Sequence, residues 1–296
     1  MIAVLGSLTG SAIIAQRAAA LAAAALSPHQ VPDDRRAAAS SGSYDAIDRY
    51  IKRQLDRLRV PGAAVAIVEG DRIVHERGFG RARPGGAPPA PQTPFVLGST
   101  TKSFTALAVM QLVEAGKVDL DAPVRRYLPW FGVADPQASA QMAVRHLLNQ
   151  TSGFSQASGW PTLVDIDNRP GAGERQARAL ATLPLAHPVG STFEYSNVNY
   201  NLLGLIVEAV SGERYAVYVQ RHIFARLGMH HSYATRAQAR QHGLATGHRY
   251  WFGFPVAAPE METPLGSLPA AQLISSAGDM AHYLIAQLND GRCAGA

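Results

Sequence analysis

Ser99 and Lys102 stand three residues apart at the head of a stretch, Phe104 to Val113, that is apolar at nearly every position save Gln111. A serine hydroxyl is a nucleophile once something takes its proton, and a buried lysine can do that. Arginine cannot, because the guanidinium keeps its proton in proteins. The distinction matters here, since Lys52, Lys102 and Lys117 are the only lysines of a chain that otherwise uses arginine for its cations. On a helical turn, residues i and i+3 share a face, which brings an ammonium nitrogen within reach of the hydroxyl. Burial lowers a lysine pKa, and a helix N-terminus offers N–H groups and positive potential where an oxyanion would form. Taken alone, Ser-x-x-Lys arises by chance in many chains. Ser99 as a helix cap beside a solvated Lys102 is then an equal reading.

Tyr195-Ser196-Asn197 supplies further groups of the same kind, just before a second apolar stretch, Val198 to Val210. A tyrosine hydroxyl there can relay protons with Lys102, and the Asn197 amide can hold a carbonyl or orient the lysine. The plainer alternatives are a buried aromatic for Tyr195 and an N-cap of the next helix for Asn197.

These residues need elements to hold them. Apolar positions predict helices over Tyr44 to Leu58, Thr100 to Ala115, Val144 to Asn149, Val198 to Val210, Tyr215 to Leu227 and Ser275 to Leu288. Gly116 and Ser211-Gly212 supply stops. Ala63 to Val68 and Ile73 to Phe79 flank Glu69-Gly70-Asp71-Arg72 and predict a β-hairpin, the only clear pair of strands. Thr192 to Glu194 is expected to be extended. Helices dominate, and no internal repeat is visible.

With 296 residues, 47% hydrophobic and 17% charged, the chain has ample material for a large core. Its net charge is +5, but the arginines are scattered and no basic run carries interleaved aromatics, which argues against nucleic-acid binding. Cys293 is the only cysteine, which excludes an intrachain disulfide and a cysteine-based zinc site. The histidines form no H-E-x-x-H pattern, and no G-x-S-x-G occurs, so neither a metal hydrolase nor an α/β-hydrolase is expected. No cofactor is called for. Arg17 followed by an alanine-rich run resembles the end of a signal peptide, and Ser27 to Ser43 reads as a linker. Residues 1–43 are thus expected to be a signal or membrane-targeting segment with its linker, and 44–296 the functional domain. This implies an exported protein, periplasmic, extracellular or attached to a membrane through its N-terminus; a plain N-terminal extension is the alternative.

Taken together, the motifs carry a resemblance. The stretch Thr93-Pro94-Phe95-Val96-Leu97-Gly98-Ser99-Thr100-Thr101-Lys102-Ser103-Phe104 is similar to the nucleophile region of the class C β-lactamase family, which includes related esterases and D-amino-acid peptidases. Val60-Pro61-Gly62, Gly116-Lys117-Val118-Asp119-Leu120-Asp121, His146 to Gly153, Tyr195-Ser196-Asn197, Leu227-Gly228-Met229 and Ser275 to Met280 follow in the family's order. The resemblance spans roughly Tyr44 to Asp290. It implies an α+β fold of the β-lactamase/transpeptidase type, a helical region packed with an antiparallel sheet. It also implies a serine hydrolase acting on a small-molecule or peptide substrate, a β-lactam, D-amino-acid peptide or carboxylic ester. Ser99 would be acylated, Lys102 would take its proton, Tyr195 would serve acylation and deacylation, and Asn197 would contact substrate and Lys102. The alternatives are a β-lactam- or peptidoglycan-binding protein that acylates slowly or not at all, and an inactive fragment of the enzyme. Gln150 stands where relatives commonly carry histidine before Thr-Ser-Gly, and is read as a packing change.

One family motif is missing. A His/Lys-Thr/Ser-Gly triplet, expected on a strand opposite the nucleophile and supplying the second oxyanion N–H, does not follow Tyr195. Thr246-Gly247 and His248-Arg249-Tyr250 are the nearest imitations, in neither the expected place nor order. The family's C-terminal strands pair with the early hairpin, so without them that hairpin is expected to keep unpaired edges and a bare face. The sequence is therefore expected to be a truncated form of an active parent, with the C-terminal strands missing.

Overall fold

The computed structural model describes residues 2–6, 42–159, 167–258 and 263–292. Most of the linker expected at Ser27 to Ser43, and most of the expected targeting segment, lie outside them; Gly42 and Ser43 are already helical. No helix among the described residues is long and apolar enough to cross a membrane.

The predicted hairpin is present. Strands β2 (Gly62–Glu69) and β3 (Arg72–Gly80) pair antiparallel, and β1 (Ile2–Gly6) lies antiparallel on the other edge of β2. Every residue of β2 from Gly62 to Val68 is buried. Side chains alternate across a strand, and here each face meets a helix. Val65 and Ile67 pack with Ile47, Ile51 and Leu55 of α1 (Gly42–Leu58). Ala64, Ala66 and Val68 join the main core, together with Ala281, Leu284 and Ile285 on the last helix. The expectation of a bare face and open edges is thus corrected in part: helices cover both faces of β2 and β1 pairs its outer edge, while β3 is an edge strand of the three-stranded sheet.

The helical region begins with α2 (Thr101–Glu114), preceded by a single 3-10 turn at Gly98–Thr100. Phe104, Ala108, Val109 and Leu112 bury its inner side. Gly116, at φ +67°, sits just past its end, where a left-handed residue is needed to stop the helix. Short helices α3 (Pro136–Gln141), α4 (Val144–Leu148) and α5 (Ala172–Arg178) follow. Helix α6 (Asn197–Ser211) packs beside α2, then come α7 (Tyr215–Val219) and α8 (Arg236–Gln241). Ser196, not Asn197, is the N-cap of α6. The helix expected over Tyr215 to Leu227 is α-helical only to Val219, after which the chain widens into a π-turn, Gln220–Phe224.

Two further pairs of strands correct the expectation of a single hairpin. Strands β5 (His248–Trp251) and β6 (Phe254–Ala257) form a second hairpin. Its Tyr250 hydroxyl donates to the Leu58 carbonyl at 2.8 Å, placing the triplet imitation at the end of α1. The other pair is short and matters more to the site. Strand β4 (Phe95–Val96) runs antiparallel to β7 (Ile274–Ser275), just before α9 (Ala277–Leu288). The ladder continues as Leu97 N–H donates to Leu273 O at 2.9 Å, while Leu273 N–H donates to Thr101 Oγ1 at 3.2 Å. The turn bearing Ser99 and the strap Leu268–Gln272 are thereby sewn together. That strap also lies against α6 at Gly204, where a Cβ would stand 2.1 Å from Pro269 Cγ.

Candidate active site

The site forms where the head of α2 meets the head of α6. Ser99 lies on the 3-10 turn and is exposed, whereas Lys102, on the first turn of α2, is only 8% exposed. The turn carries Ser99 to the surface and lets α2 take Lys102 into the protein, and Nζ remains 3.4 Å from Ser99 Oγ. Ser99 does not cap α2 with its side chain, and Lys102 is not solvated, so the chance-pattern reading of the pair fails on both counts.

Tyr195 and Asn197 approach from the other helix. The Tyr195 hydroxyl is 2.6 Å from Ser99 Oγ and 3.5 Å from Asn197 Oδ1. The Tyr195 ring also faces the lysine, with Nζ 4.7 Å from its centroid. Asn197 is the first residue of α6, and its Oδ1 accepts a hydrogen bond from Lys102 Nζ at 2.7 Å. All four residues singled out in the sequence therefore meet at one point.

Lys102 has one more partner. Its Nζ donates to the Ala270 carbonyl, on the Leu268–Gln272 strap, at 2.8 Å. A neutral amine has two N–H donors and one lone pair. With Asn197 Oδ1 and Ala270 O taking the two hydrogens, the lone pair is left for Ser99 Oγ. Burial drives the lysine toward that neutral form, lowering its pKa from the ordinary range to about 7. Burial pushes Tyr195 the other way, above its usual value, despite the opposing effect of the hydrogen bond with Ser99. At neutral pH the pair therefore consists of a lysine able to accept a proton and a tyrosine that keeps its own. Among the described residues, no cluster of three or more His, Cys, Asp or Glu side chains is placed to hold a metal ion.

Two contributors escaped the sequence reading. Ala270 acts through a backbone carbonyl, which leaves no mark in residue type. Gln150, read as a packing change, is buried and hydrogen-bonded to the segment that carries Tyr195. The stretch just before Tyr195, Thr192 to Glu194, carries no strand pairing and is tied to Gln150 through the Glu194 N–H.

Comparison with known proteins agrees with this architecture. Residues 47–295 match the family model described as Beta-lactamase. Protein flp of Staphylococcus aureus (strain MW2) is 30% identical over 252 residues, covering 84% of this chain and 50% of that protein. Penicillin-binding protein 4 of Amycolatopsis lactamdurans is 31% identical, covering 81% of this chain and 64% of its own length. The chain thus spans about half the length of the first of these relatives. Among solved structures, the octameric penicillin-binding protein homologue from Pyrococcus abyssi superposes with a TM-score of 0.73 at 30% identity, covering 84% of this chain and 57% of that one. The fold is the β-lactamase/transpeptidase-like arrangement of helices and small antiparallel sheets, and the chain belongs to the Beta-lactamase family.

Proposed function

We propose that this protein is a serine hydrolase that cleaves an amide or ester through an acyl-Ser99 intermediate. The observation that carries this reading is the position of Ser99 Oγ, 2.6 Å from the Tyr195 hydroxyl and 3.4 Å from a Lys102 nitrogen whose pKa is lowered to about 7. Ser99 Oγ attacks the carbonyl carbon as its proton passes to the Lys102–Tyr195 pair, which titrates as a unit. The carbonyl oxygen becomes an oxyanion at the N-terminal end of α2, where the helix presents partial positive charge. Collapse breaks the bond to the leaving nitrogen or oxygen, which takes the proton back from the pair. Water then attacks the acyl-serine, again losing its proton to Lys102 and Tyr195, and Ser99 is restored with its hydrogen. Asn197 holds Lys102 in place and faces the substrate.

The acyl donor in this reading is a β-lactam, a D-amino-acid peptide or a carboxylic ester, all of which share the acylation step. Intact-mass measurement after exposure to a penicillin and to an activated ester tests it, with Ser99→Ala as control. The expected result is one covalent adduct on Ser99, absent from the variant. Equal labelling of Ser99→Ala, or an adduct on a different serine, overturns the reading. Repeated turnover identifies an enzyme, whereas a stable adduct without turnover identifies a slowly acylating binding protein.

A further inference from the structure

Tyr195 lies in irregular chain, with neither helix nor strand to fix its backbone. The two backbone amides that flank it are both held by one residue from another part of the molecule. The Glu194 N–H donates to the Gln150 backbone carbonyl at 2.9 Å. The Ser196 N–H donates to the Gln150 side-chain Oε1, also at 2.9 Å. The two amides that flank Tyr195 therefore end on the backbone and the side chain of the same residue. Oε1 takes a second hydrogen, from Asn199 Nδ2 on α6, at 2.6 Å. Asn199 in turn accepts from Ser152 Oγ at 2.5 Å, so the clamp closes back onto the turn that bears Gln150.

Gln150 holds this position at a conformational cost. It is 6% exposed, and its φ of +60° lies in the left-handed region, which is unfavourable for a residue with a side chain. Its carbonyl and side-chain oxygens accept from Tyr195's neighbours and from α6, with no hydrogen bond to Ser99 or Lys102 among the described contacts. We propose that Gln150 is a positioning residue: through the Ser196 amide and Asn199, its side-chain oxygen holds the Tyr195 hydroxyl against Ser99. This rests on the acyl-Ser99 reading.

The chemistry demands an acceptor with two free lone pairs, which an amide or carboxylate oxygen has and a thioether lacks in practice. Gln150→Met keeps the volume and the strained backbone while leaving two buried N–H groups unpaired. Gln150→Glu keeps an oxygen for both. The measurement is the rate and half-saturation concentration of Ser99 acylation by an activated ester, followed by intact mass, with thermal unfolding alongside. Gln150→Met is expected to slow the maximal acylation rate by about 10–100-fold, the usual consequence of misplacing a reacting group by an ångström. Half-saturation is expected to change little, and Gln150→Glu to acylate at least about tenfold faster than Gln150→Met.

Gln150→Met acylating at the wild-type rate, or Gln150→Glu acylating no faster than Gln150→Met, overturns the clamp while wild-type labelling of Ser99 leaves the acyl-enzyme reading standing. Loss of Ser99 labelling in the wild-type protein overturns that reading and the clamp with it. If Gln150→Met does not fold, Gln150→Glu decides alone: a rate within about tenfold of wild type supports the clamp, and a larger loss overturns it.

Discussion

Lys102 Nζ donates to Asn197 Oδ1 at 2.7 Å across 95 residues of sequence, joining the first turns of two buried helices. The oxygen that receives it is neutral, and that neutrality leaves burial free to lower the lysine pKa to about 7. A carboxylate in the same place would favour the ammonium and typically raise the pKa by about 1–3 units. Asn197→Asp is therefore expected to move the pH midpoint of acylation upward from about 7 by about 1–3 units, with a lower rate at pH 7. A pH–rate series on both proteins checks it, and an unmoved midpoint would show that Lys102 is not the group titrating.

The wild-type profile has a definite sign. Only neutral Lys102 accepts the Ser99 proton, so the acylation rate should rise with pH through about 7 and then level off. Tyr195, held above its ordinary pKa by burial, stays protonated across this range and adds no falling limb at mildly alkaline pH. Lys102→Arg keeps a charge that cannot be lost, and is expected to slow acylation by about 10²–10⁴-fold at every pH. Single-turnover labelling between pH 5.5 and about 9 distinguishes this from a flat or falling profile.

Ser99 and Lys102 are legible in the sequence because a three-residue spacing on helical chain puts both on one face, and the ordered motifs around them raise that spacing above a chance pattern. Tyr195 and Asn197 are legible only as part of an ordered set of motifs, since nothing in residues 195–197 says which distant helix they face. Ala270 and Gln150 follow a different logic. Ala270 offers a carbonyl, and Gln150 binds an amide 46 residues away, so neither contact depends on a pattern along the chain. The strands β4 and β7 are two residues each, too short for any alternation to register. Thr192 to Glu194 has strand-like residues but its backbone is held by Gln150 instead of by a neighbouring strand.

The buried lysine also leaves a trace in stability. Its pKa is about 7 in the folded protein and in the ordinary lysine range when unfolded. Between those values the unfolded chain binds a proton that the folded one has released, so this group's contribution to stability rises with pH. Below about 7 the full penalty of a buried ammonium applies. Lys102→Met removes the titration. Its stability relative to wild type is therefore expected to be highest near pH 6 and to fall by roughly 2 kcal/mol by pH 9. Urea unfolding of both proteins at the two pH values measures the difference, and a constant difference would contradict a depressed lysine pKa.

Gly204 tests the far side of the lysine's cage. It lies on α6 where Pro269 of the strap presses against the helix, and an added Cβ would fall 2.1 Å from Pro269 Cγ. Proline cannot swing aside as a flexible side chain would, so the strap itself must move. The Ala270 carbonyl moves with it, and Lys102 Nζ loses the acceptor now at 2.8 Å. The Thr105 hydroxyl, which donates to the Pro269 carbonyl at 2.7 Å, opposes that shift from α2. Gly204→Ala should therefore destabilise the fold by about 1–3 kcal/mol, the range for overpacking a core, although alanine is the better helix former. It should also slow Ser99 acylation, because an Nζ hydrogen freed from Ala270 can turn toward Ser99 and displace the lone pair that faces it. Thermal unfolding and acylation rates, measured together, decide the matter. A loss of stability with an unchanged rate would mean that the Ala270 carbonyl does not orient Lys102.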